Sequence, residues 1–75
     1  MNAMIKQIAN QIKNAIIQGA HTTHMIIINQ GLELRYNEVC EALAWLESEG
    51  LVEYHNRNLA HEYGWFITDK GWSKI

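Results

Sequence analysis

Between residues 36 and 49, apolar side chains recur on one side of a helical repeat. Val39, Leu43 and Leu46 are spaced by four and three residues, and Gly50 follows where helices commonly end. Polar and acidic side chains fill most of the other positions. The pattern predicts an amphipathic helix, roughly Tyr36 to Glu49, whose apolar side packs inward and whose polar side stays exposed.

Two further helices are predicted upstream of this one. Residues Met1 to Gln18 repeat apolar side chains at three- and four-residue steps, and a glycine ends that run. Thr22 or Thr23 can cap a second, shorter helix over Met25 to Gln30. The β-branched run Ile26 to Ile28 is equally compatible with a strand, so both alternatives stay open for this segment.

A hairpin is predicted after Gly50. Leu51 to His55 and Tyr63 to Thr68 are rich in β-branched and aromatic residues, and the polar segment 56–61 joins them. An isolated hairpin is marginal in water, so this one must pack on the helices. The residues expected to face inward are Val52, Trp65 and Ile67, with Trp72 sealing the end of the core. The expected fold is α+β and mostly α, with three helices followed by a two-stranded antiparallel sheet.

Length and composition restrict the class of protein. A chain of 75 residues that is 48% hydrophobic suffices for one compact domain, and we assign residues 1–75 to a single domain. No apolar run approaches the roughly 20 residues that cross a bilayer, so no membrane association is predicted. The lone Cys40 cannot form an internal disulfide, which agrees with a reducing, cytoplasmic location.

No arrangement of residues indicates an enzyme or a metal protein. The chain contains four histidines, His21, His24, His55 and His61. Their spacing matches no zinc pattern, and Cys40 has no second cysteine beside it. The sequence also lacks a glycine-rich phosphate loop and a nucleophile paired with a base. We therefore expect no catalysis, metal, cofactor or small-molecule substrate.

Two segments resemble a family of bacterial regulators. Val39 to Val52 is similar to the recognition helix and first wing strand of winged helix-turn-helix transcription regulators, and Phe66 to Gly71 is similar to the second wing strand and its closing turn. The resemblance covers roughly residues 20 to 72 and implies a DNA-binding domain that regulates transcription. Helix 36–49 would be the recognition helix and loop 56–62 the wing.

The start of this recognition helix leaves two alternatives open. Either Gly31 is the turn glycine of the motif or Glu33 stands in its place, and the two alignments differ by two residues. Arg35 or Tyr36 lies where the family often has Ser or Thr, and Asn37 is the nearest residue with good capping chemistry. The set of residues that would face DNA shifts with this choice.

In the family, the first residues of the recognition helix contact base edges, and the wing tip contacts the backbone or the minor groove. The resemblance implies that Asn37 pairs with adenine and that Glu41 accepts a hydrogen bond from cytosine. Nearby basic, aromatic and amide side chains would hold phosphates. The full set of candidate DNA contacts is Arg35, Tyr36, Asn37, Glu41, Asn56, Arg57, Asn58 and Lys70.

The charge distribution opposes DNA binding. The net charge is −2, and the stretch from Glu33 to Glu53 holds six acidic side chains and one basic one, Arg35. Affinity for duplex DNA depends on the number of neutralised phosphates, so a monomer would bind weakly and a homodimer would double the contacts. The alternative is a winged-helix protein-interaction module, an adaptor or inhibitor that presents an acidic face. Its candidate contacts are Trp45, Leu59, Glu38 and Glu41.

Overall fold

The computed structural model describes residues 2–57 and 62–74, with the backbone alone for Arg57 and Glu62. The elements are helices α1 (Ala3–Ile17), α2 (Thr23–Gln30), α3 (Tyr36–Ser48) and α4 (Asp69–Lys74), a 3-10 helix (Glu33–Arg35), and strands β1 (Val52–Arg57) and β2 (Glu62–Ile67). The described chain is mostly helical with one antiparallel two-stranded sheet, so the predicted α+β class is confirmed. None of its helices is long and apolar enough to span a bilayer.

The core lies where α1 packs on α3. Ile12 of α1 and Val39 and Leu46 of α3 have no accessible surface, and Leu43 has almost none. Complete burial of a large aliphatic side chain stabilises the fold by about 1.5–3 kcal/mol relative to its exposure. The predicted inward side of α3 is therefore confirmed, and its other side is exposed.

Residues 26–28 are helical, which decides between the two alternatives for this segment. Ile26 and Ile27 are adjacent and both buried, while Ile28 is half exposed, a pattern that alternating strand faces would not give. Thr22 caps the helix, because its Oγ1 accepts the Met25 N–H at 3.1 Å.

Beyond α2 the chain turns at Gly31, whose φ of 66° is left-handed and favours glycine. The 3-10 helix then begins at Glu33 and runs directly into α3. Helix α3 starts at Tyr36 without a side-chain cap, and Asn37, the nearest residue with good capping chemistry, lies inside its first turn. The connection between α2 and α3 is therefore short and ordered.

Both strands extend further toward residues 58–61 than predicted, and each is one residue shorter at its other end. Asn56 pairs with Tyr63 and Arg57 pairs with Glu62, so the backbone of these residues belongs to the sheet and not to a loop. Residues 56, 57 and 62 of the predicted loop 56–62 therefore belong to the strands, and its residues 58–61 lie outside the described residues. The inward-facing side chains are as predicted, with Val52 buried and Trp65 and Ile67 packed against the core.

The hairpin is joined to the connection between α1 and α2 by polar contacts. The Trp65 N–H donates to the His21 carbonyl at 2.6 Å, and the Trp65 indole N–H donates to Thr23 Oγ1 at 3.2 Å. Gly64 has φ 108°, and a Cβ there would stand 2.5 Å from the same His21 carbonyl oxygen. The backbone of β2 can approach this closely only because residue 64 has no side chain.

Helix α4 was not predicted. The Thr68 hydroxyl accepts the Gly71 N–H at 3.0 Å and donates to the Gly50 carbonyl at 2.6 Å, so one side chain caps α4 and ties it to the end of α3. Gly71 is buried, and a Cβ there would overlap the Leu51 carbonyl. Trp72 is 54% exposed, so the prediction that it seals the core is wrong.

Candidate interaction surface

A concave surface lies between α2 and the start of α3. We call it the α2–α3 groove, with a volume of about 470 Å³, lined by Thr23, His24, Ile27, Ile28, Glu33 and Tyr36. The left-handed turn at Gly31 brings the end of α2 beside the 3-10 helix, which places these side chains together. Most of the lining surface is apolar, which is typical of a binding site.

Exposed apolar side chains continue around this groove. Ile28 and Tyr36 are each more than half exposed, and Leu34, in the 3-10 helix between them, is 95% exposed. Such a leucine makes almost no contact with its own chain, although its burial would be favourable. Clustered exposed apolar side chains bordered by polar ones mark interaction sites. The surface is therefore suited to contact with another molecule.

The charges around the groove are mainly negative. Glu33 lines it, Glu41 is exposed on the next turns of α3, and Glu38 is half-buried between them. Arg35 is the one basic side chain in the described segment 31–48, and it is exposed. Lys70 lies at the opposite end of α3, where its Nζ donates to the Glu49 carbonyl at 2.9 Å. Lys70 is therefore not among the charged side chains at the start of α3.

Tyr36 is linked to the next turn of α3. A side-chain hydrogen bond with Cys40, together with the charge interaction between the two groups, raises the pKa of the Tyr36 phenol above its ordinary value of 10.0. The phenol is therefore neutral at physiological pH and offers an apolar ring with a polar tip to the groove. Cys40 is half-buried and free of disulfide bonding.

The predicted DNA contacts are only partly brought together. Tyr36, Asn37 and Glu41 are exposed in the first half of α3, and Arg35 is exposed in the 3-10 helix directly before it. Asn56 is exposed on β1, and the Arg57 backbone follows it in the same strand. The predicted contacts Asn58 and Leu59 lie outside the described residues.

Trp45, predicted as a protein contact, is half-buried against the core. It lines a second, smaller concavity of about 130 Å³. We call this concavity the α1–α4 groove, and its other lining residues are Lys6, Ala9, Asn10, Leu51 and Lys74. Sequence reasoning missed this site, because its residues come from distant parts of the chain.

The histidines that touch the hairpin have structural partners. Phe66 stacks between the rings of His21 and His55, at centroid distances of 4.4 and 4.7 Å. His21 Nδ1 lies 2.9 Å from the Trp65 carbonyl, and His55 Nε2 lies 2.7 Å from a Glu53 oxygen. Within residues 2–57 and 62–74, no three His, Cys, Asp or Glu side chains are placed to hold a metal.

We compared the chain with known protein families, curated proteins and solved structures. No family model, no curated protein and no solved structure matches this chain.

The α2–α3 groove was also missed by sequence reasoning, which assigned the start of α3 to DNA contacts. The available signal was Leu34, an apolar residue between Glu33 and Arg35 in a segment that belongs to no apolar stripe.

Proposed function

We propose that this chain is a winged-helix protein-interaction module whose α2–α3 groove binds another protein. The observation that carries the proposal is Leu34, which is 95% exposed beside a groove of about 470 Å³ lined mainly by apolar surface. A surface built to contact phosphates would carry cations here, whereas this one carries Glu33, Glu38 and Glu41.

The element order supports the winged-helix assignment. Three helices precede an antiparallel hairpin, and α3 occupies the place of the recognition helix in the resemblance. The hairpin is fixed beside the helices through Trp65 and the His21 carbonyl, as a wing must be if it is to project at a constant angle. In this proposal the scaffold is shared with DNA-binding regulators, and its binding surface has a different chemistry.

The chemistry of the groove selects its partner. Apolar side chains at helical spacing can enter beside Ile28 and Tyr36, as in other helix-in-groove complexes. Lysine or arginine residues flanking them would face Glu33 and Glu41, which favours association and suppresses acidic partners. The proposed partner is therefore a basic amphipathic helix of another protein.

The test uses a labelled synthetic peptide of Leu and Lys at amphipathic spacing, titrated with the protein while fluorescence anisotropy is recorded. We expect saturable binding that weakens by about ten- to a hundredfold in Leu34→Ser, because a buried leucine is lost. Leu34→Ser should leave the fold intact, since the side chain makes almost no internal contact. Ile17→Ser, at a half-exposed apolar position at the end of α1, is the matched control and should not weaken binding.

A Leu and Glu peptide of the same pattern tests the charge argument and should bind at least about tenfold more weakly. Absence of saturable binding by the Leu and Lys peptide, or equal binding by wild type and Leu34→Ser, would contradict the proposal.

DNA binding, with a role in transcription, is the second candidate. The observation that favours it is the exposure of Arg35, directly before α3, and of Asn37, in its first turn, where base-edge contacts are made in the resemblance. Its test is the mobility of a random duplex pool at low and moderate salt, since phosphate contacts weaken steeply as salt rises. A salt-sensitive shift that Arg35→Gln reduces would favour DNA over the protein partner.

A further inference from the structure

The α1–α4 groove has a chemistry opposite to that of the α2–α3 groove. Ala9, Trp45 and Leu51 give it an apolar floor, and Lys6 and Lys74 stand among its lining residues. None of its described lining side chains is acidic. It can therefore receive a small apolar side chain that is flanked by carboxylates.

The first 32 residues differ in charge from the rest of the chain. Residues 1–32 contain no Asp or Glu, and the acidic residues begin at Glu33. Helix α1 carries Lys6 and Lys13 on one side, and Lys13 lies over the ring of Trp72 in α4 at 5.7 Å from the centroid. Helices α1 and α4 together carry four lysines and one acidic residue, Asp69, so this side is net positive, whereas the start of α3 is mainly negative.

The chain itself presents an apolar side chain flanked by carboxylates. Leu34 projects almost fully into solvent, Glu33 precedes it, and Glu38 and Glu41 follow on α3. Arg35 offsets one of these negative charges. The apolar side chain of Leu34 therefore suits the apolar floor of the α1–α4 groove. The carboxylates around Leu34 are opposite in charge to the lysines of that groove.

One molecule cannot make this contact with itself. Trp45 of the α1–α4 groove is nine residues after Tyr36 on the same helix, which is about 14 Å at 1.5 Å per residue. Leu34 and this groove are therefore held apart by a rigid helix. Any contact between them must join two molecules.

We infer that a second copy of this chain is a partner, with Leu34 of one copy seated in the α1–α4 groove of the next. Lys6 and Lys74 then face Glu33 and Glu38 of the other molecule. This inference rests on the proposed function, because it names a partner for the exposed surface around Leu34. The contact joins two different surfaces, so it is head-to-tail and leaves one free Leu34 and one free groove at the ends of each assembly.

Sedimentation equilibrium from about 10 µM to about 1 mM tests this, because an interface of modest area is populated in that range. We expect the average mass to rise with concentration and to fall when salt is added. Leu34→Ser and the double variant Lys6→Glu/Lys74→Glu should each remain monomeric throughout. Ile17→Ser should associate as the wild type does.

Mixing the two monomeric variants is the decisive measurement. Leu34→Ser retains an intact α1–α4 groove, and Lys6→Glu/Lys74→Glu retains an intact Leu34. An equimolar mixture should form a one-to-one complex that grows no further, with a dissociation constant within about threefold of the wild-type value. Failure of the mixture to associate, while the wild type does, would overturn the head-to-tail contact.

The same variants separate this inference from the proposed function. Lys6→Glu/Lys74→Glu should bind the Leu and Lys peptide normally, because its α2–α3 groove is unchanged. A wild type that stays monomeric up to about 1 mM but binds that peptide would overturn the inference alone. A monomeric wild type that also fails to bind the peptide would overturn both.

Discussion

Where α1 packs on α3, the contacts join aliphatic side chains, whereas the hairpin and α4 meet the helices through closely approaching backbone atoms. Ile12 and Leu46 are fully buried in the first region. In the second, Gly64 faces the His21 carbonyl and Gly71 faces the Leu51 carbonyl. The first region should therefore tolerate a change of shape at constant volume, and the second should tolerate no added atom.

Leu46→Ala is expected to have the largest effect. It removes a fully buried side chain and should lower the free energy of unfolding by about 2–5 kcal/mol, measured by urea denaturation followed by circular dichroism. Leu46→Met keeps the volume and should cost less than about 1.5 kcal/mol. Equal losses in the two variants would show that the aliphatic region is as intolerant as the hairpin contact.

Gly64→Ala tests the close backbone contact between the hairpin and the helices. The new Cβ would stand 2.5 Å from the His21 carbonyl oxygen at a φ of 108°, so strain and overlap add. We expect a loss of about 2–4 kcal/mol in the free energy of unfolding, from a strained backbone and a crowded contact.

Gly31→Ala is the matched control for this change. Gly31 also has a positive φ, but no atom lies within 4 Å of a Cβ built there. It should cost about 1 kcal/mol, the strain without the overlap. A loss in Gly64→Ala no greater than in Gly31→Ala would mean that the hairpin does not depend on close backbone approach.

The same contrast explains how much of the fold could be predicted. Helices α1 and α3 follow from apolar spacing, because nearly every turn returns an aliphatic residue to the α1–α3 contact. The segment 26–28 stayed ambiguous because three isoleucines satisfy both a strand and a buried helix. Its helical state depends on the Thr22 cap and on packing of Ile26, and only the second of these requires the folded chain.

The hairpin side was harder to predict, for a physical reason. Asn56 and Arg57 are typical of a loop by composition, yet their backbone pairs with Tyr63 and Glu62. Helix α4 contains Gly71, a weak helix former, and is held by the Thr68 cap and by contact with Leu51. These elements are stabilised by tertiary contacts that no local pattern encodes.

Some features of the candidate surface could likewise be predicted from the sequence, and others could not. The outward placement of Asn37 and Glu41 followed from the buried stripe of α3, and the structure has both exposed. The exposure of Leu34 could not be predicted with the same certainty, because an apolar residue outside any apolar stripe can still pack once the chain has folded. The α1–α4 groove required the positions of Lys6 and Lys74, which are far apart in sequence.

Trp72→Ala is expected to have the smallest effect, although the side chain it removes is the largest that any of these changes affects. Trp72 is 54% exposed, and its described contact is with Lys13 at 5.7 Å from the ring centroid. An exposed cation–π contact contributes about 0.5–1 kcal/mol, so the variant should lose no more than about 1 kcal/mol in urea denaturation. Lys13→Met should lose a similar amount, and the double variant should lose less than the sum because the two side chains share one contact. A loss of about 3–5 kcal/mol for Trp72→Ala would instead make it a core residue, since that is the cost of truncating a buried aromatic.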